Sequence, residues 1–176
     1  MPDNPKHLVR ARDLDPAEAV RLRHPFNPRS DVTLQRLGQR TGMERVAVTL
    51  ARVPPGKESF ILHAHLLNEE FVYVLEGTGR AVIGAAEVEV GPGDFMGFPI
   101  DGTAHTLRNT GSTDLVYLMG GEHGPVDVAR FPTVGKTVVY STTDGIRVLD
   151  DASARQLGFA DFLAEEQGTG LPGRQT

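Results

Sequence analysis

Residues 63–70 of the chain read HAHLLNEE, and a third histidine, His105, lies in a later run, residues 102–109, GTAHTLRN. His63 and His65 flank one alanine in a strand-like run. Alternation along a strand then puts both imidazoles on one face, with Cα atoms about 6.5–7 Å apart. Two imidazoles at that spacing can hold one ion at about 2.0–2.1 Å from each nitrogen. The stretch therefore predicts a metal site on a β-sheet.

A carboxylate and the third histidine can complete this site. Glu70 opens the next strand after a short turn, and it lies near both histidines if that strand returns beside the first. His105 opens a later strand after a turn at Asp101–Gly102. Three neutral imidazoles and one carboxylate suit Fe(II), Mn(II), Ni(II), Co(II) or Zn(II), and the spacing does not choose among them. The spacing thus offers His63, His65, Glu70 and His105 as candidate ligands for one divalent transition metal.

The same residues also have a plainer interpretation. A single buried histidine is more often a hydrogen-bonded core residue than a metal ligand, and a glutamate at a strand edge is commonly a solvated charge. Glu69 is the neighbouring alternative to Glu70 as the carboxylate ligand. The other three histidines have no partner at a ligand spacing, so we expect surface or structural roles for His7, His24 and His123.

Turn-forming residues punctuate the whole chain. Its 176 residues include 20 Gly and 12 Pro, dispersed rather than concentrated in one tract. Short strand-like runs alternate with turn signals every 8–12 residues, which favours a sandwich or a barrel. The runs are 32–37, 45–53, 59–65, 70–75, 80–83, 86–90, 94–98, 105–109 and 115–119, with two more at 137–140 and 146–149.

The chain divides into three parts. Residues 1–30 are predicted to form an N-terminal extension with one short helix, Pro16–Leu22, which Asp15 caps and in which Pro16 takes the first helical position. Residues 31–149 are predicted to form a β-barrel. Residues 150–176 are predicted to contain a C-terminal helix, Ser153–Leu163, and a flexible tail. The expected class is all-β with short N- and C-terminal helices.

Charge and composition exclude several partners. The chain has 18 Lys and Arg against 23 Asp and Glu, a net charge of −5, and no basic run that would track phosphates, so we expect no nucleic acid partner. Its apolar stretches are far shorter than the roughly 20 residues that span a bilayer, so we expect no membrane partner. The absence of cysteine excludes disulfides, zinc–thiolate sites and thiol nucleophiles. The N-terminus lacks an apolar signal core, which predicts a cytoplasmic location.

Two runs of the sequence resemble the motifs of the cupin superfamily. Residues 56–77, GKESFILHAHLLNEEFVYVLEG, are similar to the first cupin motif, and residues 93–109, GDFMGFPIDGTAHTLRN, are similar to the second. The resemblance covers roughly residues 45–120. It implies a small, single-domain jelly-roll barrel, the double-stranded β-helix of cupins, with a metal bound inside. The ligands that it implies are His63, His65, Glu70 and His105.

The resemblance also bears on ligand choice and function. The spacing from Gly77 favours Glu70 over Glu69. Cupins include oxygenases, isomerases, lyases and non-catalytic binders, so the family alone does not select a reaction. We predict a metalloenzyme for a small polar metabolite, a dioxygenase first and an isomerase or lyase next. The sequence does not single out a general base for such an enzyme. A non-catalytic small-molecule-binding or sensing protein is the alternative. Apolar residues expected to line a dry interior are Phe60, Val72, Phe98 and Leu107.

Strands outside the motifs bear on assembly. Residues 31–53 and 137–149 add strands beyond the motif core, and an open sheet edge there would pair with other chains. Pairing of these strands between two copies of the chain would cover the edges. The sequence therefore predicts a homodimer.

Overall fold

The structure, a computed structural model, describes residues 5–155, 157 and 158. This part of the chain is built almost entirely of strands. They are β1 (Val20–Leu22), β2 (Val32–Arg36), β3 (Val46–Val53), β4 (Ala64–His65), β5 (Glu70–Glu76), β6 (Gly79–Ile83), β7 (Ala86–Val90), β8 (Phe95–Phe98), β9 (His105–Asn109), β10 (Leu115–Glu122), β11 (Val126–Phe131), β12 (Lys136–Ser141) and β13 (Gly145–Asp150). The helical segments of these residues are α1 (Leu37–Arg40) and short 3-10 turns at Ala11–Asp13, Pro16–Glu18 and Asp151–Ser153. No helix within the described ranges is long and apolar enough to cross a bilayer.

The strands form three antiparallel sheets. A six-stranded sheet has the order β1-β2-β3-β10-β5-β8, a four-stranded sheet the order β13-β12-β11-β4, and a three-stranded sheet the order β7-β6-β9. The main core draws its buried side chains from the six-stranded and three-stranded sheets, and a smaller cluster lies under the four-stranded sheet. The all-β prediction is confirmed.

Side-chain alternation decides which face of each strand is buried. In β5, Val72 and Val74 are 3% and 0% exposed, whereas Tyr73 and Leu75 are 39% and 38% exposed. A period of two is the pattern of a strand with one face on the core. The predicted interior residues follow the same rule, since three are buried and the fourth is half-buried against the core: Val72, Phe98, Leu107 and Phe60.

One turn glycine shows why the motif spacing is fixed. Gly77 directly follows β5 and has a φ of +79°, a backbone conformation that side-chain-bearing residues rarely adopt. A Cβ built on Gly77 would also lie 2.3 Å from the carbonyl oxygen of Asp114. The position therefore excludes every other residue on two independent grounds.

The N-terminal helix prediction is wrong beyond its first turn. Asp15 caps the segment as expected, accepting a 2.8 Å hydrogen bond from the Ala17 N–H. The 3-10 turn ends at Glu18, however, and Val20–Leu22 is strand β1, paired with β2. Pairing with β2 lets Leu22 pack against the core, and this tertiary contact overrides the local helical signal.

Two other differences from the sequence-based expectations concern β11 and the edges of the sheets, and one expectation at the C-terminus is not tested. Strand β11 has no counterpart among the predicted runs, and the predicted C-terminal helix, Ser153–Leu163, lies for the most part outside the described residues. The expectation of an open edge at residues 31–53 is wrong, because β2 lies between β1 and β3, and β3 lies between β2 and β10. Strand β13 is the outer strand of its sheet, and all six of its residues are exposed.

Candidate metal centre

The chain crosses from one sheet to another between the first two histidines. His63 pairs with His105 through two backbone hydrogen bonds, His63 N–H to His105 O at 3.1 Å and His105 N–H to His63 O at 2.7 Å. The next two residues form β4, which pairs with β11 in the four-stranded sheet. The crossing brings the three rings together, with centroids 4.9 Å apart for His63 and His65 and 4.6 Å apart for His63 and His105.

Glu70 reaches the histidines from the third sheet. The expectation that its strand returns beside the histidine strand is wrong, because β5 lies between β10 and β8 while β4 pairs with β11. The Oε2 atom of Glu70 nevertheless lies 3.1 Å from Nε2 of His105, 3.4 Å from Nε2 of His65 and 3.8 Å from Nε2 of His63. The Glu70 side chain therefore reaches across the barrel interior, and the site lies between the sheets.

The structure thus brings all four sequence-predicted residues to one place. The ligand atoms of His63, Glu70 and His105 lie within 4.8 Å of one another, a grouping that can hold a metal ion, and His65 adjoins this trio through Glu70. Glu69 does not share this position: it is exposed, and its backbone N–H donates a 3.0 Å hydrogen bond to Glu122 Oε2.

Hydrogen bonds at the far side of two rings show that the donor set fits a cation. Nδ1 of His63 lies 2.8 Å from the carbonyl oxygen of Ile61, and Nδ1 of His65 contacts a carboxylate oxygen of Asp127. Because these oxygens are acceptors, each Nδ1 carries the proton, and a neutral ring then points the lone pair of Nε2 at the Glu70 carboxylate. Acceptors that face one another in this way require a proton or a cation between them. Three imidazole nitrogens and one carboxylate suit a divalent transition metal.

The charge balance of the metal-free site also indicates that the site fits a cation. Burial lowers the pKa of His65, but hydrogen bonds to Asp127 and Glu70 outweigh burial and raise its pKa to about 9. Burial raises the pKa of Glu70, but hydrogen bonds from His105, His63 and His65 bring it well below its usual value. Burial lowers the pKa of His105. A proton on His65 therefore balances the Glu70 carboxylate without metal, and a bound cation would replace that proton.

Asp127 is the functional residue that sequence reasoning missed. It lies in β11, 62 residues from its partner His65, and is 7% exposed. Strand alternation places Asp127 on the same face of β11 as the buried residues Ala129 and Phe131. A lone carboxylate on an otherwise apolar strand face was the one available signal, and it required knowing that residues 126–131 form a strand.

Two large cavities meet at His65 and Glu70 of the centre. One of about 470 Å³ contacts His63, His65 and Glu70, and its other walls are mainly apolar. A second of about 370 Å³ shares His65 and Glu70 with the first but has more polar walls. The residues common to both cavities are His65, Glu70, Met119, Tyr140 and Ile146. The metal centre therefore faces open space on the side of β12 and β13.

Known proteins share this fold and these motifs. A sequence profile described as the cupin domain matches residues 49–121. The oxalate-binding protein of Thermotoga maritima is 31% identical over 113 residues, which are 63% of this chain and 89% of that protein. The chain belongs to the cupin superfamily.

Solved structures extend the similarity of this cupin beyond the matched domain. A putative sugar phosphate isomerase from Acidithiobacillus ferrooxidans has a TM-score of 0.81 and 31% identity, covering 87% of this chain and 97% of that one. A sugar phosphate isomerase of the cupin superfamily from Silicibacter pomeroyi has a TM-score of 0.72 and 25% identity, covering 82% and 96%. The shared architecture thus includes strands on both sides of residues 49–121.

Proposed function

We propose that this cupin is a metal-dependent enzyme that acts on a small carbonyl or carboxylate compound. The observation that carries the proposal is the convergence of three imidazoles on the Glu70 carboxylate beside an open cavity. Three of these four residues, His63, His65 and Glu70, line the 470 Å³ cavity directly. A ligand in that cavity would therefore meet the metal-binding side chains themselves.

The four residues would hold one divalent metal, and the surrounding residues would fix them. When bound, the ion supplies a Lewis acid for a carbonyl or carboxylate group and, if it is redox-active, a partner for O2. Ile61 and Asp127 fix the orientation of two rings, since each binds the Nδ1 atom that faces away from the centre. The Phe98 ring stacks on His105 with centroids 3.6 Å apart and planes 4° apart, which holds that ring and excludes water behind it.

Among reactions, we place an O2-dependent dioxygenase first. The apolar walls of the larger cavity suit O2, which is itself apolar, and they exclude water that would intercept reactive species. An isomerase is the second candidate, because the solved structures aligned over more than 80% of the chain are named as sugar phosphate isomerases. A non-catalytic binder is the third, because the relative in Thermotoga maritima is named as an oxalate-binding protein.

Metal content tests the site before any reaction is measured. We expect elemental analysis of protein purified without chelators to give about one transition-metal ion per chain. Glu70→Gln should lose most of this metal because it removes the carboxylate at the centre, whereas the neighbouring Glu69→Gln should keep it. Full metal retention by Glu70→Gln together with loss by Glu69→Gln would show that the ligand register is wrong by one residue.

Oxygen uptake then separates the candidate reactions. The protein is loaded anaerobically with Fe(II), and oxygen consumption is followed with a panel of 2-oxo acids, β-diketones and aromatic diols, with products identified by NMR. Uptake that needs both metal and substrate and that is absent in Glu70→Gln supports the dioxygenase. Isomerised or cleaved products without uptake would favour the isomerase or lyase. Tight binding with no product under any metal would favour the binder.

A further inference from the structure

An aromatic wall leads away from the metal centre along the larger cavity. The ring of Phe131 lies edge-on to His63, with centroids 6.4 Å apart, and it contacts the rings of His24 at 5.1 Å and Phe26 at 6.3 Å. Val138, 2% exposed, packs in the same cluster as Phe131. A flat or branched apolar group next to His63 would meet ring faces and edges rather than hydrogen-bonding groups.

Further along the same four-stranded sheet, the wall continues as branched side chains that water covers in the free protein. Ile146 and Val148 of β13 line the cavity and are 68% and 47% exposed. Exposed aliphatic groups that line a cavity are characteristic of ligand-binding grooves. An apolar ligand against β13 would remove Ile146 and Val148 from water.

Cations suited to a phosphate group are scarce on these walls. Outside the metal centre, the described lining residues of the larger cavity that can be cationic are Arg23 and His24, and Arg23 lies 3.8 Å from Asp31. Burial, and then the nearby His63, lower the pKa of His24, which favours the neutral ring. The described lining of the second cavity has no Lys or Arg and includes Glu69, Glu122 and Asp127. A phosphate dianion would meet acidic groups there instead of the charge-assisted donors that it needs.

We infer that the substrate has an apolar body, an aromatic ring or a branched alkyl chain, attached to one carbonyl or carboxylate head that reaches the metal centre. This inference rests on the proposed function and deepens it. It excludes sugar phosphates as the substrate class. The head lies at Glu70 and the histidines. The body lies in the larger cavity, against Phe131, Ile146 and Val148 of the four-stranded sheet and against Phe26.

Calorimetric titration of the Co(II)-loaded protein tests the inference with three probes. Benzoylformate and pyruvate share a 2-oxo acid head and differ in a phenyl or a methyl body, and glucose 6-phosphate represents a sugar phosphate. We expect the Kd of benzoylformate to be lower than that of pyruvate by about tenfold or more, since a buried ring removes far more apolar surface from water. Glucose 6-phosphate should bind more weakly than benzoylformate.

A matched pair of variants locates the apolar body. Val148→Asn should reduce the preference for benzoylformate over pyruvate by about threefold or more, because it makes one cavity wall polar. Val88→Asn is the control, since Val88 is 43% exposed on β7 and does not line either cavity. Because pyruvate carries the same head, the ratio of the two Kd values is insensitive to changes at the metal.

Several results would overturn the inference. These are equal Kd values for benzoylformate and pyruvate, tighter binding of glucose 6-phosphate, no binding of any probe to metal-loaded protein, or an unchanged preference in Val148→Asn. Elemental analysis of the same samples distinguishes failure of the inferred substrate class from failure of the proposed function. Stoichiometric metal with any of these results overturns the substrate class alone, whereas protein that takes up no metal overturns the proposed function as well.

Discussion

The carboxylate of Asp127 is the contact that ties His65 to the centre. It accepts the Nδ1–H of His65 from a neighbouring strand and so keeps Nε2 directed at Glu70. Burial raises the pKa of Asp127, but the hydrogen bond from His65 outweighs it and the net pKa lies below the usual value. The carboxylate is therefore charged at neutral pH, and it increases the basicity of the ring that would bind the ion.

Asp127→Asn is expected to lower metal affinity by about 10- to 100-fold, because the amide neither orients nor polarises His65 as the carboxylate does. Competition with a chelating dye measures the affinity. Asp144→Asn, on an exposed residue, is the control and should leave it unchanged. In a His65→Gln background the Asp127→Asn change should have little further effect. Equal losses in both backgrounds would mean that Asp127 acts on the fold in general.

At the scale of elements, close backbone contacts between strands set where side chains are tolerated. Gly79 opens β6 with ordinary backbone angles, but a Cβ there would lie 2.5 Å from the carbonyl oxygen of Arg108 and 2.8 Å from a methyl carbon of Leu115. A side chain at this position would push β6 away from β9. Since β9 also carries His105, the packing of this pair supports the metal centre.

Gly79→Ala is expected to destabilise the protein by about 1–3 kcal/mol through overpacking. The urea midpoint of unfolding measures the loss. Gly91→Ala is a matched control, because the nearest atom to a Cβ at Gly91 is a side-chain carbon of Thr78 at 3.8 Å. Equal midpoints for the two variants would show that β6 can shift without cost.

A buried carboxylate attaches β1 to the start of β2. Asp31, 6% exposed, accepts hydrogen bonds from Arg21 Nε at 2.7 Å and Arg21 Nη2 at 2.6 Å. The Arg21 hydrogen bonds hold the pKa of Asp31 below its usual value. The pair therefore stabilises the fold fully above the unfolded-state pKa of about 3.9, and this contribution is lost as pH falls through the folded-state pKa.

Asp31→Asn is thus expected to lower the Tm at pH 7, with the difference from the unmodified protein shrinking as pH falls below about 4. Thermal unfolding at pH 7, 4 and 3 measures this dependence. Glu18→Gln, in an exposed ion pair with Arg40, should change the Tm far less. A Tm difference for Asp31→Asn that stays constant over the whole range would show that the charge of Asp31 is not the cause.

At the scale of the whole molecule, a homodimer stays a prediction. Of the two regions first considered, β2 and β3 are paired on both sides within the described chain, while β13 is an outer strand with Leu149 49% exposed. A chain of 19.0 kDa should then give about twice that mass by light scattering at micromolar concentration. Leu149→Lys should shift the mass towards the monomer, because a charge on an outer strand opposes edge pairing. Val88→Lys is the control, and a monomer mass for the unmodified protein contradicts the prediction.

Local patterns were sufficient for much of the fold and for the ligand set. Alternating apolar residues in β5, a glycine at the end of β5 and the spacing of His63, His65 and Glu70 are features of neighbouring residues. Alternation and turn conformation depend on steric effects over a few bonds, so they can be interpreted without knowing which strands pair. Together with the resemblance to the two cupin motifs, which contributed His105 and the choice of Glu70, these features predicted the barrel and the four residues that the structure brings together.

Tertiary structure alone decided how those residues meet. The crossing of the chain between two sheets at His63, the approach of Glu70 from a third and the contact of Asp127 with His65 all join segments far apart in sequence. Strand β1 likewise forms only because β2 is beside it. Which distant strands pair depends on the packing that buries most apolar surface and satisfies every backbone group. That is a property of the complete barrel, and no short stretch of this sequence contains it.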